Sequence, residues 1–138
     1  MSEQEIVQGI IDIPQKQLTL LLESGYLYME LGKMKEAEEV FHGVAALIPH
    51  SEVPHIALGH IYFAQGHFNP ALKANQKAVE LNPGSAAAHA AVGEILLFLN
   101  QSGKALASLD KAIACDPESP AAAFAKALKE AHGVGVFS

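Results

Sequence analysis

The sequence contains no tryptophan and a single cysteine, and only 17% of its 138 residues are charged. One cysteine cannot form an internal disulfide, which favours a reducing compartment. Basic residues are scarce as well. The chain has nine Lys and Arg and fifteen Asp and Glu, which gives a net charge of −6. Since phosphate binding needs clustered Lys and Arg, we expect no nucleic-acid partner.

The sequence also has no apolar run of membrane-spanning length and no secretory signal. Its longest apolar run, residues 86–99, is too short to cross a bilayer and contains His89 and Glu94. Residues 1–13 carry three acidic side chains and no basic one. Half of all residues are hydrophobic, so the chain has the composition of a folded domain. We expect a folded cytoplasmic protein that does not insert into a membrane.

Small residues and prolines recur along the chain at a fixed step of 34 residues. The residues in register are glycines at 25, 59 and 93, alanines at 37, 71 and 105, and prolines at 49, 83 and 117. A 34-residue period with a small–aromatic–small–Pro pattern is the signature of the tetratricopeptide repeat, a helix–turn–helix unit.

This period predicts an all-α, right-handed solenoid in one domain. A leading helix over residues 3–11 begins with the capping-box pair Ser2 and Glu5. It either packs on the first repeat, or it forms a homodimer or docks a partner. The predicted boundaries are 1–17 for this helix and its linker, 18–51, 52–85 and 86–119 for the repeats, 120–132 for a capping helix, and 133–138 for a frayed tail.

Helix ends can also be predicted locally. Glycine ends the first helix of two repeats, and asparagine, which tolerates the left-handed conformation, stands there in the third. Ser51, Asn69 and Ser119 are expected N-caps, the last two with proline at the first helical position. The expected stop residues are Gly32, Gly66 and Asn100.

The repeating glycines predict close helix packing. We expect them to face the repeating alanines across each hairpin, so that a larger side chain would force the helices apart. In the capping helix, Phe124 and Leu128 lie four residues apart and are expected to pack on the third repeat.

The chain resembles the tetratricopeptide-repeat family over residues 18–119. Members of that family are interaction scaffolds that commonly bind a peptide in a concave groove lined by the first helix of each repeat. The resemblance to this family therefore implies that the partner is a hydrophobic or extended protein segment, unless a terminal helix of the chain itself fills the groove. The groove residues it implies are Leu22, Tyr26, Met29, Ile56, His60, Phe63, Glu94, Leu97 and Phe98.

A narrower resemblance is to the small tetratricopeptide chaperones of bacterial type III secretion. Those proteins are similar in size and acidity, and they hold translocator or needle subunits before export. The carboxylate clamp of heat-shock co-chaperones is not expected, because the groove residues include no Lys or Arg.

No pattern in the sequence indicates an enzyme, a cofactor or a metal site. His55 and His60 are not four residues apart, as zinc-binding helices require. His55 and His89 are interpreted as core or half-buried residues, and Cys115 as a small buried hydrophobe. The expected function is a chaperone for a hydrophobic segment; the alternatives are a structural adaptor of a larger complex and a regulatory subunit of an enzyme.

Overall fold

The computed structural model describes residues 15–137. The predicted leading helix, residues 3–11, lies outside the described residues, and so does the homodimer that was one alternative for its role. Within them there are seven α-helices and no strand. They are α1 (Gln15–Glu30), α2 (Met34–Leu47), α3 (Val53–Ala64), α4 (Phe68–Leu81), α5 (Ala86–Phe98), α6 (Ser102–Cys115) and α7 (Pro120–Gly133).

The chain divides into two compact units, Met1–Pro49 and His50–Ser138, and each is described by itself. In the first unit α1 and α2 form an antiparallel hairpin, in which α2 buries Ala37, Phe41 and Val44. Gly25 is the buried residue of α1.

The second unit contains two further hairpins and α7. Helix α3 pairs with α4 and α5 pairs with α6, while α5 also contacts α3, α4 and α7. Its core is built around α5, α6 and α7, with Leu97, Leu109 and Leu128 among its larger residues. Helix α5 therefore lies between the other elements, which is why it buries most of its residues.

Three helices end in the same left-handed turn, as predicted. The backbone φ is 76° at Gly32, 80° at Gly66 and 60° at Asn100. After each of these residues, the next N–H donates to the carbonyl five residues earlier, at 2.8 to 2.9 Å. This Schellman pattern satisfies carbonyls that the helix end would leave unpaired.

The predicted helix starts are only partly correct. Ser119 does cap α7, accepting a hydrogen bond from the Ala122 N–H at 3.0 Å, with Pro120 first in the helix. The Asn69 prediction was wrong, because α4 begins at Phe68 and Pro70 lies inside its first turn. Proline is tolerated there because an N–H in the first turn has no partner within the helix. Ser51 stands one residue before the observed cap of α3.

The repeating glycines do face tightly packed neighbours, but not mainly the predicted alanines. A Cβ added at Gly25 would lie 2.6 Å from the Phe41 ring, and one at Gly93 would lie 2.7 Å from Leu109 Cγ. At Gly59 it would overlap the Asn75 side chain. The partner is thus the residue 16 positions later in every repeat. Among the three atoms nearest to each added Cβ, one belongs to a repeating alanine, namely the Ala105 carbonyl oxygen at 3.2 Å from the Gly93 position.

Helix α7 packs on α5 and α6, which confirms that the capping helix covers the third repeat. Leu128 is buried, as expected, but Phe124 is 43% exposed and does not pack there. Ala122 and Ala125 supply the remaining buried surface.

The outer face of α7 carries Lys126 and Glu130, both exposed. They stand 34 residues after Val92 and Leu96, which are buried in the core. The repeat register therefore continues into α7 with charged residues in two apolar positions.

The segment after α7 is ordered by a fourth Schellman turn, where the expectation was a frayed tail. Gly135 has a φ of 88°, and its N–H donates to the His132 carbonyl at 3.1 Å. The Val136 N–H donates to the Ala131 carbonyl at 3.0 Å. This turn directs Phe137 back onto the core of the second unit.

Candidate functional site

In the second unit, α3 and α5 carry most of the residues expected to line a groove. Ile56 and Phe63 are half-buried on α3, and His60 is exposed. On α5, Glu94 is half-buried and Phe98 is 46% exposed although it is aromatic. Since α3 and α5 contact each other, these two sets of side chains lie on neighbouring helices.

The most pronounced feature of this surface is a cluster of four phenylalanine rings, which we call the aromatic cluster. Phe98 is at its centre, with ring-centroid distances of 5.0 Å to Phe63, 5.7 Å to Phe68 and 5.4 Å to Phe137. Phe63 and Phe68 also meet, at 5.4 Å. The contacts of Phe98 with Phe63 and Phe137 are edge-to-face, an arrangement that aromatic rings favour.

Sequence reasoning found two members of this cluster and missed the other two. Phe63 and Phe98 were among the expected groove residues. Phe68 is the first residue of α4 and Phe137 lies beyond α7, so neither belongs to a first helix. The sequence feature that could have pointed to Phe68 and Phe137 was composition. The chain has only six phenylalanines, and four of them meet here.

Leu97 does not belong to an exposed surface, contrary to the prediction. It is 1% exposed and forms part of the core cluster. Phe63 holds the same position in the preceding repeat and is only half-buried. The difference arises because α7 packs against α5, and Leu128 and Phe137 join the cluster that contains Leu97.

In the first unit, the expected groove residues lie on α1. Leu22 and Met29 are half-buried, and Tyr26 is 42% exposed. The Tyr26 ring meets Phe41 edge-on at a centroid distance of 5.1 Å, so it also contributes to the packing of its own hairpin. A continuous groove through all three repeats remains a prediction.

Three titratable groups in equivalent positions of the three repeats are partly desolvated, although the side chains of Tyr26 and His60 still reach the surface. Burial raises the pKa of Tyr26, lowers the pKa of the His60 imidazole, and raises the pKa of the Glu94 carboxyl. Each shift favours the neutral form, which is the effect of a water-poor environment. Among residues 15–137, no basic side chain forms an ion pair with Glu94, and α3 and α5 contain no Lys or Arg.

The other residues considered in the sequence take structural or surface roles. His89 is buried and hydrogen-bonds through Nε2 to the Pro83 carbonyl at 2.7 Å, as its core interpretation requires. Cys115 is exposed, so its assignment as a buried residue was wrong. No group of three or more potential metal ligands occurs in the described part of the chain. None of the helices there has the length and apolarity needed to cross a bilayer.

Comparison with known sequences identifies the repeat. A family model described as tetratricopeptide repeat matches residues 28–95. No curated protein sequence matches the chain significantly.

Solved structures match over most of the chain. PcrH in complex with the chaperone-binding region of PopB matches with a TM-score of 0.75 and 20% identity, covering 86% of this chain and 98% of that one. Yersinia enterocolitica SycD, a type III secretion chaperone in complex with a peptide of the translocator YopD, gives a TM-score of 0.72, 18% identity, and coverage of 86% and 97%. The first tetratricopeptide repeat domain of Spaghetti (RPAP3), bound to the HSP90 peptide SRMEEVD, gives 0.72, 22% identity, and coverage of 87% and 99%.

The resemblance drawn from the 34-residue period agrees with the helix pairs, with the match to the family model and with these structural matches. The chain has the all-α fold of a tetratricopeptide-repeat protein.

Proposed function

We propose that this chain is a cytoplasmic chaperone that holds a hydrophobic segment of a secretion-apparatus or translocator subunit. The observation that carries the proposal is the aromatic cluster, to which α3 contributes Phe63 and α5 contributes Phe98. Phe98 remains nearly half exposed although three other rings surround it. An exposed aromatic patch of this kind is typical of a protein-binding surface.

The electrostatics favour an apolar segment over an acidic one. Helices α3 and α5 offer no Lys or Arg to a carboxylate. Glu94 lies on the same pair of helices with a raised pKa, so a second negative charge beside it would be unfavourable. An acidic ligand such as the peptide SRMEEVD bound by Spaghetti is therefore a poor candidate for this surface.

The structural matches support the chaperone class. PcrH and SycD are described in complex with segments of PopB and YopD, and the match covers nearly all of each chaperone. A chaperone of this kind would act by mass action: it binds the apolar segment, keeps it from aggregating, and releases it when another binding site competes.

The proposal is tested by removing the rings on α3 and α5. The double change Phe63→Ala and Phe98→Ala should weaken binding of a co-purified partner roughly a hundredfold or more, since truncating one interface anchor typically costs about 2 kcal/mol or more and a hundredfold change corresponds to about 2.8 kcal/mol. Phe124→Ala is the matched control, because Phe124 is a comparably exposed phenylalanine on α7, 43% exposed, that lies outside the aromatic cluster. Both variants should keep the parent's helical circular dichroism. Equal affinity of the double variant and the parent would refute this site.

An adaptor is the second candidate, because apolar residues are exposed outside the expected groove. Helix α1 exposes Leu20, Leu27 and Leu31. The two functions differ in the behaviour of the partner. A chaperone's client should be insoluble or degraded when expressed alone, whereas the partners of an adaptor should each be stable.

A further inference from the structure

Phe137 differs from the other members of the aromatic cluster in how it is held. Phe63, Phe68 and Phe98 all belong to helices, whereas Phe137 follows the turn at Gly135. Val134 and Val136, in the same segment, are 80% and 65% exposed. Phe137 is therefore the apolar side chain through which residues 134–137 attach to the core.

The surface that Phe137 covers is the one assigned above to the partner. Its ring stands edge-on to Phe98, at a centroid distance of 5.4 Å and an interplanar angle of 77°. The same Phe98 ring meets Phe63 of α3 from another side. A phenylalanine contributed by the chain itself thus occupies a position where a partner's apolar anchor would gain the same contacts.

We propose that Phe137 is an intramolecular plug, and that the partner segment presents a phenylalanine or similarly large apolar side chain that replaces it on Phe98. This inference rests on the function proposed above and adds both the anchor chemistry and a means of regulation. The contacts that would hold the partner's ring are those that now hold Phe137.

Opening the plug breaks few interactions. The Schellman turn leaves Val134 and Val136 exposed, so moving residues 134–137 uncovers little apolar surface besides Phe137. Segments with few buried contacts open at low free-energy cost compared with global unfolding. Helix α7 also packs on α5 and α6 through its own buried residues Ala122, Ala125 and Leu128, so opening residues 134–137 leaves these helix contacts in place.

A plug reduces the apparent affinity to the intrinsic affinity multiplied by the fraction of molecules in which the plug is open. Removing it should therefore tighten binding, which is the opposite of what removal of an ordinary contact residue does. If the plug is closed in most molecules, Phe137→Ala should bind an aromatic anchor about threefold to tenfold more tightly than the parent.

The test uses N-acetyl-phenylalanine amide as the probe, with N-acetyl-alanine amide as the probe control, titrated by NMR into the full chain. The phenylalanine probe should bind Phe137→Ala more tightly than the parent, and the combined change Phe137→Ala with Phe98→Ala should lose the gain. Val136→Ala is the matched control in the same segment and should behave as the parent. Unchanged or weaker binding by Phe137→Ala would overturn the plug.

A second measurement keeps the test decisive if the alanine variant is unstable. The parent chain, labelled with 4-fluorophenylalanine at position 137, should show the fluorine resonance moving to its solvent-exposed position as the probe is added. A resonance that stays unchanged while the probe binds would also overturn the plug. The function itself fails on a different result, namely partner affinity that is insensitive to Phe63→Ala with Phe98→Ala.

Discussion

Gly93 offers the sharpest test of how the hairpins close. A Cβ at this position would lie 2.5 Å from Leu109 Cδ2, 2.7 Å from Leu109 Cγ and 3.2 Å from the Ala105 carbonyl oxygen. Carbon atoms in good contact are about 3.5 to 4.0 Å apart, so the added methyl would overlap Leu109 by roughly 1 Å. Leu109 is fully buried and cannot swing into solvent.

Two opposing effects set the size of the change caused by Gly93→Ala. Overpacking a core costs about 1–3 kcal/mol. Replacing a helical glycine by alanine returns up to about 1 kcal/mol of helix propensity. Because the Ala105 carbonyl belongs to the backbone and cannot rotate away, we expect the upper end of the cost, and a net loss of about 2 kcal/mol in the free energy of unfolding.

Urea unfolding followed by circular dichroism measures this loss. Gly103→Ala is the matched control, since Gly103 lies on α6 in the same unit and has no atom within 4 Å of an added Cβ. It should be neutral or gain up to about 1 kcal/mol. In a Leu109→Ala background the penalty of Gly93→Ala should shrink, because the overlapping Leu109 side chain is gone and only the tight contact with the Ala105 carbonyl oxygen remains.

The reasoning is refuted if Gly93→Ala is as stable as Gly103→Ala. It is also refuted if the penalty persists unchanged when Leu109 is alanine, since the cost would then come from something other than this contact.

Three further predictions concern the second unit. Asn75→Leu should raise the free energy of unfolding, measured in urea, by about 1–3 kcal/mol, because the buried Asn75 Oδ1 has no hydrogen-bond partner among residues 15–137 and the third repeat places leucine at this position; an unchanged or lower value would contradict this account of the contact between α3 and α4. Glu94→Gln should be more stable than the parent at pH 7, since burial raises the pKa of Glu94 and its charged form is disfavoured on folding. That advantage should disappear as the pH falls below this pKa, and a gain independent of pH would rule out the carboxyl as its source. Deleting residues 120–138 should lower the melting temperature or cause aggregation, because α7 and Phe137 contribute to the core around Leu97; a deletion variant that stays soluble with the parent's melting temperature would show that α7 is not needed.

What the sequence predicted well was local. The turns at Gly32, Gly66 and Asn100 depend on a single residue's ability to adopt a positive φ, and this can be read from residue type. The 34-residue step then locates equivalent positions in the other repeats. The first residues of helices were predicted less well. Proline is tolerated at more than one position of a helix's first turn, so Pro70 did not identify where α4 begins.

What the sequence did not predict depends on contacts between elements. The partner of each glycine lies 16 residues later on the facing helix, and the choice between it and the repeating alanine is set by how the two helices cross. The 34-residue period places Leu97 at a groove position, yet the packing of α7 against α5 buries it in the core. Phe137 was missed because its place depends on a turn beyond the last helix.

The charged outer face of α7 is poorly suited to the packing of a further repeat or of a second copy of the chain. Val92 and Leu96 present apolar side chains to the core, whereas Lys126 and Glu130 hold the same register positions one period later. If positions 126 and 130 held leucine or valine, the outer face of α7 would be apolar, and a helical hairpin of a second copy could pack on it. Contacts of that kind are heterologous and propagate from molecule to molecule into filaments. We therefore expect Lys126 and Glu130 to disfavour such growth, because packing another copy on this face would bury their charges.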